Sequence, residues 1–418
     1  MFNAPVLKIA DFRSIFFTRL FSSMALQVQA VIVGWQIYQL RPDPLLLGFI
    51  GLAEAVPAIT CSFVSGHIVD TFRPTKIFRL SLTAMFINAC LMWFAILPQS
   101  SIAADSRLIL LYLGIFISGA ARSFSSPSVF AIIPQIVKRE DLGAASAWNS
   151  SSFQFAAIIG PALGGLVFGF FGPVAAFALP PILQLTAVGL TWTLSARTHA
   201  LKRETAREPF FKSVKAGILF AAGHRVLLST MLLDMFSVLF GGAVIVLPMF
   251  ADQVFKTGSL GLGFLRAAPS VGSVIVALML GLKPMKVISG KTLLLVVAGF
   301  GLATIGFALS NNFYLALLFL AISGAFDGVS MVIRGTLLQL LTPEQMRGRV
   351  SSLSSVFITS SNEIGAFESG LAAKFMRLIP SVLFGGTMTV VIVLTTWWRA
   401  PELAQTAIQQ YPSDKDAS

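Results

Sequence analysis

Charge is what this sequence has least of. Asp, Glu, Lys and Arg make up 11% of its 418 residues, against about 25% in an ordinary soluble domain. So few charges over such a length mean that most of the surface meets lipid rather than water, and a count of soluble domains from length does not apply. Cysteine is nearly absent. Cys61 and Cys90 both fall inside apolar runs and read as small core hydrophobes rather than a disulfide framework. The three histidines, His67, His199 and His224, are not clustered, so no metal site is expected. There is no HExxH, no GxSxG and no P-loop GKS or GKT, which argues against a membrane-embedded enzyme and against ATP drive. Nothing in the residues calls for a cofactor. Met1 to Arg13 holds no short apolar core followed by a cleavage site, and no removable signal peptide is expected there.

What is abundant is apolar. Hydrophobic residues reach 56%, with 37 phenylalanines and a mean hydropathy of +0.82. A spanning helix needs about 20 mainly apolar residues. Runs of that kind fall at 14–40, 44–70, 76–98, 107–135, 143–170, 174–195, 224–251, 258–282, 288–310, 312–340, 347–374 and 378–398. Turn chemistry separates them, as at Arg41-Pro42-Asp43-Pro44, Gly172-Pro173 and Asn311-Asn312. The pattern predicts an all-α membrane protein with twelve transmembrane helices in two pseudo-symmetric six-helix bundles. Its parts would be an N-terminal half, 1–195, a cytoplasmic linker with an interfacial helix, 196–223, a C-terminal half, 224–400, and a cytoplasmic tail, 401–418. Within the linker, Phe210 to Gly223 sets Phe210, Phe211, Val214, Ile218 and Leu219 against Lys212 and Lys215, the mark of a helix lying in the interface.

The net charge of +12 is a matter of membrane topology here, and no nucleic-acid partner is implied. With a cytoplasmic N-terminus, twenty of the 30 lysines and arginines fall in inner loops and tails. Only Arg41, Arg107, Lys256 and Arg377 fall in outer loops. The positive-inside rule therefore predicts both termini in the cytoplasm.

One stretch occurs twice. Residues 117–165 and 322–370 both open with Ile-Ser-Gly-Ala, both cross a short charged segment, and both run on so that Gly160 and Gly165 match Gly365 and Gly370. An offset of about half the chain is a duplicated helix bundle rather than a solenoid repeat. In a membrane protein, duplicated halves suggest a transporter with its site between them.

Charges inside spans are costly and mark partners or water-filled cavities. Glu54, Arg122, Asp234, Arg266, Asp327, Arg334, Glu363 and Glu368 lie well inside predicted spans, while Arg19, Arg225 and Lys374 lie near span ends. The repeat aligns Arg122 with Asp327. Gly51-Leu-Ala-Glu54-Ala-Val-Pro57 likewise matches Gly263-Phe-Leu-Arg266-Ala-Ala-Pro269, so Glu54 aligns with Arg266. At both positions one half carries a base and the other an acid. That arrangement suits ion pairs that form in one conformation and break in another; equally, each charge could pair within its own half and hold helices together. Arg334 follows Asp327 by seven residues, two helical turns, on one face. Carboxyls in a low dielectric bind protons more readily, which makes Glu54, Asp327 and Glu363 candidate proton carriers. On the first span, Gln29 and Gln36 share a face beside Trp35, either as a cavity wall or as helix–helix hydrogen bonds.

These residues carry a family resemblance over nearly the full length. Gly66-His-Ile-Val-Asp70-Thr-Phe-Arg73-Pro-Thr-Lys76 resembles the cytoplasmic loop motif of the major facilitator superfamily. The resemblance implies a gating loop in which Gly66, Asp70, Arg73 and Lys76 latch one state, with the later part of the motif replaced here. Gly160-Pro161-Ala162-Leu163-Gly164-Gly165 resembles the superfamily's antiporter motif, and Gly160 and Gly164 would let a neighbouring helix approach closely while Pro161 kinks its own. Leu341 to Val350 and Ser360 to Glu368 look like the drug:proton antiporter branch that holds the bacterial enterobactin exporter and macrolide efflux pumps. The resemblance implies proton-coupled export, in a bacterial cytoplasmic (inner) membrane, of a siderophore or amphipathic drug-like small molecule. Arg122, Arg266 and Arg334 tilt that expectation towards an anionic siderophore. The alternatives are an importer or facilitator of a small metabolite, and a sensor that binds without transport. The expected partners are the substrate, protons and the bilayer, and the expected state is a monomer.

Overall fold

The structure is a computed structural model that describes residues 5–100, 102–194, 210–283, 285 and 287–409. Some helical side chains, among them those of His67, Asp70 and residues 210–215, fall outside the described set, as does the predicted linker segment 196–209.

Among the described residues the chain is almost entirely helical. The helices are α1 (Ala10–Leu40), α2 (Pro44–Thr71), α3 (Pro74–Ile96), α4 (Ala104–Ile136), α5 (Leu142–Thr191), α6 (Phe210–Ala222), α7 (Arg225–Gly241), α8 (Leu247–Met249), α9 (Gly258–Leu282), α10 (Gly290–Leu309), α11 (Phe313–Leu341), α12 (Glu344–Met376), α13 (Leu378–Arg399) and α14 (Pro401–Gln405). Among the described residues, ten helical stretches are long and apolar enough to cross a membrane. One of these, reaching from Arg139 to Thr191, holds two predicted spans. Gly172 breaks it with φ 77° and ψ −178°, a backbone open only to glycine, and Pro173 keeps the preceding residue out of the α region. The polar helix α12 has 33 residues, enough to span at about 1.5 Å per residue.

Local chemistry sets the helix starts where the turn residues predict them. Asp43 caps α2 by accepting from the Leu45 amide at 3.0 Å, with Pro44 at the first helical position, where its missing N–H costs nothing. Asn312 caps α11 by accepting from the amides of Tyr314 and Leu315, at 2.8 and 3.2 Å.

The predicted span 224–251 is present as one membrane-length stretch, Arg225–Val254, but its helix is interrupted. Helix α7 stops at Gly241, and Gly242 takes φ −79° and ψ 87°. A 3-10 turn (Ala243–Val246), the short α8 and a π turn (Phe250–Val254) follow. Two adjacent glycines weaken the helix, and Pro248 disfavours the α region just before it.

Contacts divide the chain into two units. The first holds residues 1–206 together with Pro248–Ala267. Its core gathers Phe12, Ile15, Phe78, Leu82, Met85 and Ile132 from α1, α3 and α4. The second holds residues 207–247 and 268–418, and its core gathers Leu233, Leu293, Leu294, Ile333, Leu337 and Val393. The compact units thus differ from the predicted halves at 248–267, which packs with the first. Large apolar side chains, including Phe130, Phe170 and Phe171 in the first unit and Phe375 and Trp398 in the second, are exposed.

Two details of the second unit go beyond the predicted plan. Helix α6 packs closely on α12, because a Cβ on Gly217 would lie 2.8 Å from the Arg349 carbonyl. It buries Ala221 with Leu227, Met231, Val350 and Leu353. The start of the predicted tail is also built into the fold. Strand β1 (Val287–Ser289) pairs antiparallel with β2 (Ala407–Gln409), with Ile288 opposite Ile408. Leu403 of α14 is fully buried, its carbonyl meets Gly290 so closely that no Cβ would fit, and Arg225 holds Glu402 at 2.8 Å. Leu403→Ala should therefore lower stability by about 2–5 kcal/mol, read as a fall in melting temperature of the purified protein. An unchanged melting curve would show that the strap does not stabilise the unit.

Candidate functional site

In the first unit, two half-exposed charges inside the spans answer each other. Glu54 on α2 and Arg122 on α4 form an ion pair at 2.7 Å. The backbones beneath them touch, since a Cβ on Gly119 would lie 2.7 Å from the Glu54 carbonyl and 3.1 Å from Pro57. The glycine of the Ile-Ser-Gly-Ala motif therefore brings α4 onto α2 one turn before Arg122. Arg266 on α9 lies near enough for its charge to interact with that of Glu54, and its Nε is buried with no hydrogen-bond partner among the described residues. Among the described residues this cluster holds two bases and one acid.

The second unit repeats the packing and inverts the charge. Gly324 of the second Ile-Ser-Gly-Ala meets the Pro269 carbonyl on α9 with no room for a Cβ, the counterpart of Gly119 beside Pro57. Here Arg334 on α11 bonds directly to Asp234 on α7. It also reaches Asp327, two turns earlier on its own helix, at 3.6 Å. The Arg334 and Asp234 side chains are both 11% exposed, and Arg334 Nε donates to the Ser330 carbonyl at 3.3 Å. This cluster holds two acids and one base. The shared face of Asp327 and Arg334 was legible from their spacing; Asp234 was marked by the sequence as a charge inside a span, but its pairing with Arg334, about a hundred residues away, was not legible. Glu363 sits half-buried on α12.

On α1, Gln29 and Trp35 are both buried. Gln29 Nε2 donates to Ser118 Oγ of α4 at 2.9 Å, and the same hydroxyl accepts from Asn88 of α3 at 2.9 Å. Gln29 thus ties three helices together. Gln36 is buried too, and its Oε1 has no hydrogen-bond partner among the described residues. Three residues further along α1 than Trp35, Tyr38 donates to Asp252 at 2.7 Å and accepts from Gln253 at 3.1 Å. Asp252 escaped sequence reasoning because it sits at the end of an apolar run, in the π turn that follows the α7 break.

The glycine motif on α5 serves two neighbours. A Cβ on Gly160 would lie 2.6 Å from Gln27 Cβ, and one on Gly164 would lie 3.3 Å from the Val28 carbonyl, so both face α1. Gly165 faces α9 instead: its Cβ would lie 2.5 Å from the Ser259 carbonyl and 2.8 Å from Gly263 Cα. Pro161 adds its carbonyl to that contact, 2.6 Å from where a Gly263 Cβ would stand. In the loop motif, Gly66 and Asp70 occupy the last turns of α2, and exposed Arg73 and Lys76 open α3; the side chain of Asp70 is outside the described set.

The second-unit cluster makes a sharp forecast. Arg334→Gln leaves two carboxylates facing each other without a base and should cost about 3–5 kcal/mol. Asp327→Asn leaves the Asp234 contact intact and should cost far less. Thermal melting of both variants, with Asp234→Asn added to Arg334→Gln, checks the assignment. Equal losses in the single variants, or no recovery in the double, would refute it.

The sequence model of the transmembrane secretion effector family matches residues 3–416. Among curated relatives, the enterobactin exporter EntS of Escherichia coli O1:K1 / APEC is 27% identical over 405 residues, covering 94% of this chain and 92% of that protein. The enterobactin exporter EntS of Shigella flexneri is 26% identical over 396 residues, with 94% and 92% covered. Among solved structures, the inward-open xylose transporter XylE from E. coli matches with a TM-score of 0.70 at 14% identity, covering 93% of this chain and 96% of that one. A POT family transporter matches with a TM-score of 0.73 at 11% identity, covering 94% and 96%. At these identities the structural likeness speaks for the fold. The chain belongs to the transmembrane secretion effector family of the major facilitator superfamily, and it is a multi-pass membrane transporter.

Proposed function

We propose that the chain exports a siderophore or an amphipathic drug-like molecule across the bacterial cytoplasmic membrane in exchange for protons, by alternating access. One observation carries the reading: Arg334 is held between Asp234 and Asp327 inside apolar helices. A carboxylate that takes up a proton gives up its hold on the guanidinium. In the proposed cycle the ionised cluster belongs to the conformation that holds substrate, where the rigid donor fork of an arginine suits an anionic ligand, and the protonated cluster belongs to the conformation that has released it. Proton and substrate thus occupy the protein in turn. Asp327, with Glu54 in the first unit, is the proposed coupling group, and Arg122 and Arg266 supply further positive charge. The names of the relatives, enterobactin exporters, support both the direction and the substrate class. The bilayer is the solvent for the exposed apolar side chains, and the protein works as a monomer.

Flux through purified protein in liposomes tests this. With a catecholate siderophore inside and an imposed pH gradient, the wild type should show gradient-driven movement against the proton flow. Asp327→Asn should lose most of that drive yet keep substrate exchange when no gradient is applied. Flux in the same direction as the protons would overturn export by antiport, and equal drive in the variant would remove Asp327 from coupling.

Both termini are assigned to the cytoplasm, from the excess of lysine and arginine in alternate loops. Membrane-impermeant labelling of intact cells, with single cysteines placed at Arg41 and Ser418, should mark the first and spare the second. The reverse pattern would invert the topology.

A further inference from the structure

Two buried side-chain nitrogens have no hydrogen-bond partner among the described residues: Nε of Arg19 on α1 and Nε of Arg266 on α9. Both arginines belong to the first unit. Arg19 lies well past the start of α1 at Ala10, about 14 Å along the helix at 1.5 Å per residue. It forms no ion pair among the described residues. Arg266 follows Ser259 and Gly263 on the face of α9 that meets Gly165 of α5, turned away from the exposed Val271, Ile275 and Leu278. The acid whose charge reaches it, Glu54, is already bound to Arg122 at 2.7 Å. Inside its spans the first unit therefore sets Arg19, Arg122 and Arg266 against Glu54, whereas the second sets Arg334 against Asp234 and Asp327. The stripe that Arg19 begins on α1 continues through Ser23, Ala30 and Gly34, with Leu26 at its edge packed on the core. From Val28 to Tyr38 every residue of α1 is buried except Ala30, which is exposed. A Cβ on Gly34 would meet nothing within 4 Å. A lipid-facing stripe carries large apolar side chains, as at Phe170 and Phe171. A base, a hydroxyl and two small residues instead mark a face that water reaches.

From these observations we infer that Arg19 and Arg266 bind the anionic oxygens of the transported substrate, a small molecule bearing carboxylate or phenolate groups. A guanidinium inside an apolar bundle needs an opposite charge, and within the described protein neither of these two has one to itself. Each offers a planar fork of N–H donors, which matches the paired oxygens of a carboxylate or a catecholate. The first unit thus holds the substrate's negative charge, and the acid-rich second unit handles the proton. That division rests on the export reading above; the attraction of solute anions to the two arginines does not. A lipid phosphate offers the same chemistry, so the test separates the two sources.

The test uses the full-length protein with Cys61→Ala and Cys90→Ala, in nanodiscs of phosphatidylcholine. Ser23→Cys and Ser270→Cys each place a single thiol one turn beyond an arginine, at half-buried positions. Each thiol is treated with a sulfonate-bearing and with a trimethylammonium-bearing methanethiosulfonate, and the ratio of the two rates is measured. Adding Arg19→Gln to Ser23→Cys, or Arg266→Gln to Ser270→Cys, should lower the preference for the anionic reagent about fivefold, the effect of one nearby charge. Arg19→Lys and Arg266→Lys keep the charge and should keep the ratio, which separates charge from a merely structural role. A ratio unmoved by neutralisation, or a thiol that reacts with neither reagent, would overturn the assignment of that arginine. A preference that collapses when phosphatidylglycerol is added to the discs would overturn it too, by giving the arginine to a lipid phosphate. No proton gradient enters these rates, so a failure of export in liposomes and a failure here are told apart.

Discussion

A guanidinium or carboxylate inside an apolar helix has to be answered by another charge, and that requirement organises this protein. Leaving one ion unmatched costs several kcal/mol, a large part of what holds a protein together. The first unit meets it with one acid facing two bases, Glu54 with Arg122 and Arg266. The second meets it with one base facing two acids, Arg334 with Asp234 and Asp327. In the first unit the helices that carry the ion pair are also brought together without side chains in the way, by Gly119 against Glu54 and Pro57, so the close backbone contact holds the charged tips within reach of one another. In the second unit the matching contact of Gly324 with Pro269 joins α11 to α9, while the ion pair joins α11 to α7.

Much of the fold was legible because the apolar runs are long and their ends are chemically marked. Asp43 with Pro44 and Asn312 set helix starts where the turn residues indicate. Gly172-Pro173 separates two spans by a positive φ that glycine alone accepts without strain. The internal repeat was legible too, and the structure gives it a physical meaning, because the matched glycines make matched contacts. The charged residues themselves were conspicuous for being where charge is expensive.

What stayed hidden was anything decided by distant parts of the chain. Asp234 was conspicuous as a charge inside a span, but its partner shows only once Arg334 is folded against it. Asp252 and Gln253 become partners of Tyr38 only because the chain leaves the α-helix at Gly242. Hydropathy averages over such a break, so the interrupted span read as continuous. The sequence marked 401–418 only as a cytoplasmic tail, since nothing local announces that Ile408 pairs with Ile288 or that Leu403 fills a hole beside Gly290.

The break after α7 shows the same limit in its strongest form. Serine and threonine inside membrane helices usually satisfy themselves on the carbonyl one turn back, as Thr304 does on Phe300, and so look inert in sequence. Gly241 allows close approach of Phe300 and Thr389, and Gly242 leaves helical geometry. Ser369 then donates to the Gly242 carbonyl and Thr389 to that of Ser237, each from another helix. A pair of glycines that costs helix stability thus opens main-chain acceptors to neighbouring helices, and those bonds hold the interrupted helix in place where an unbroken apolar helix would have offered none.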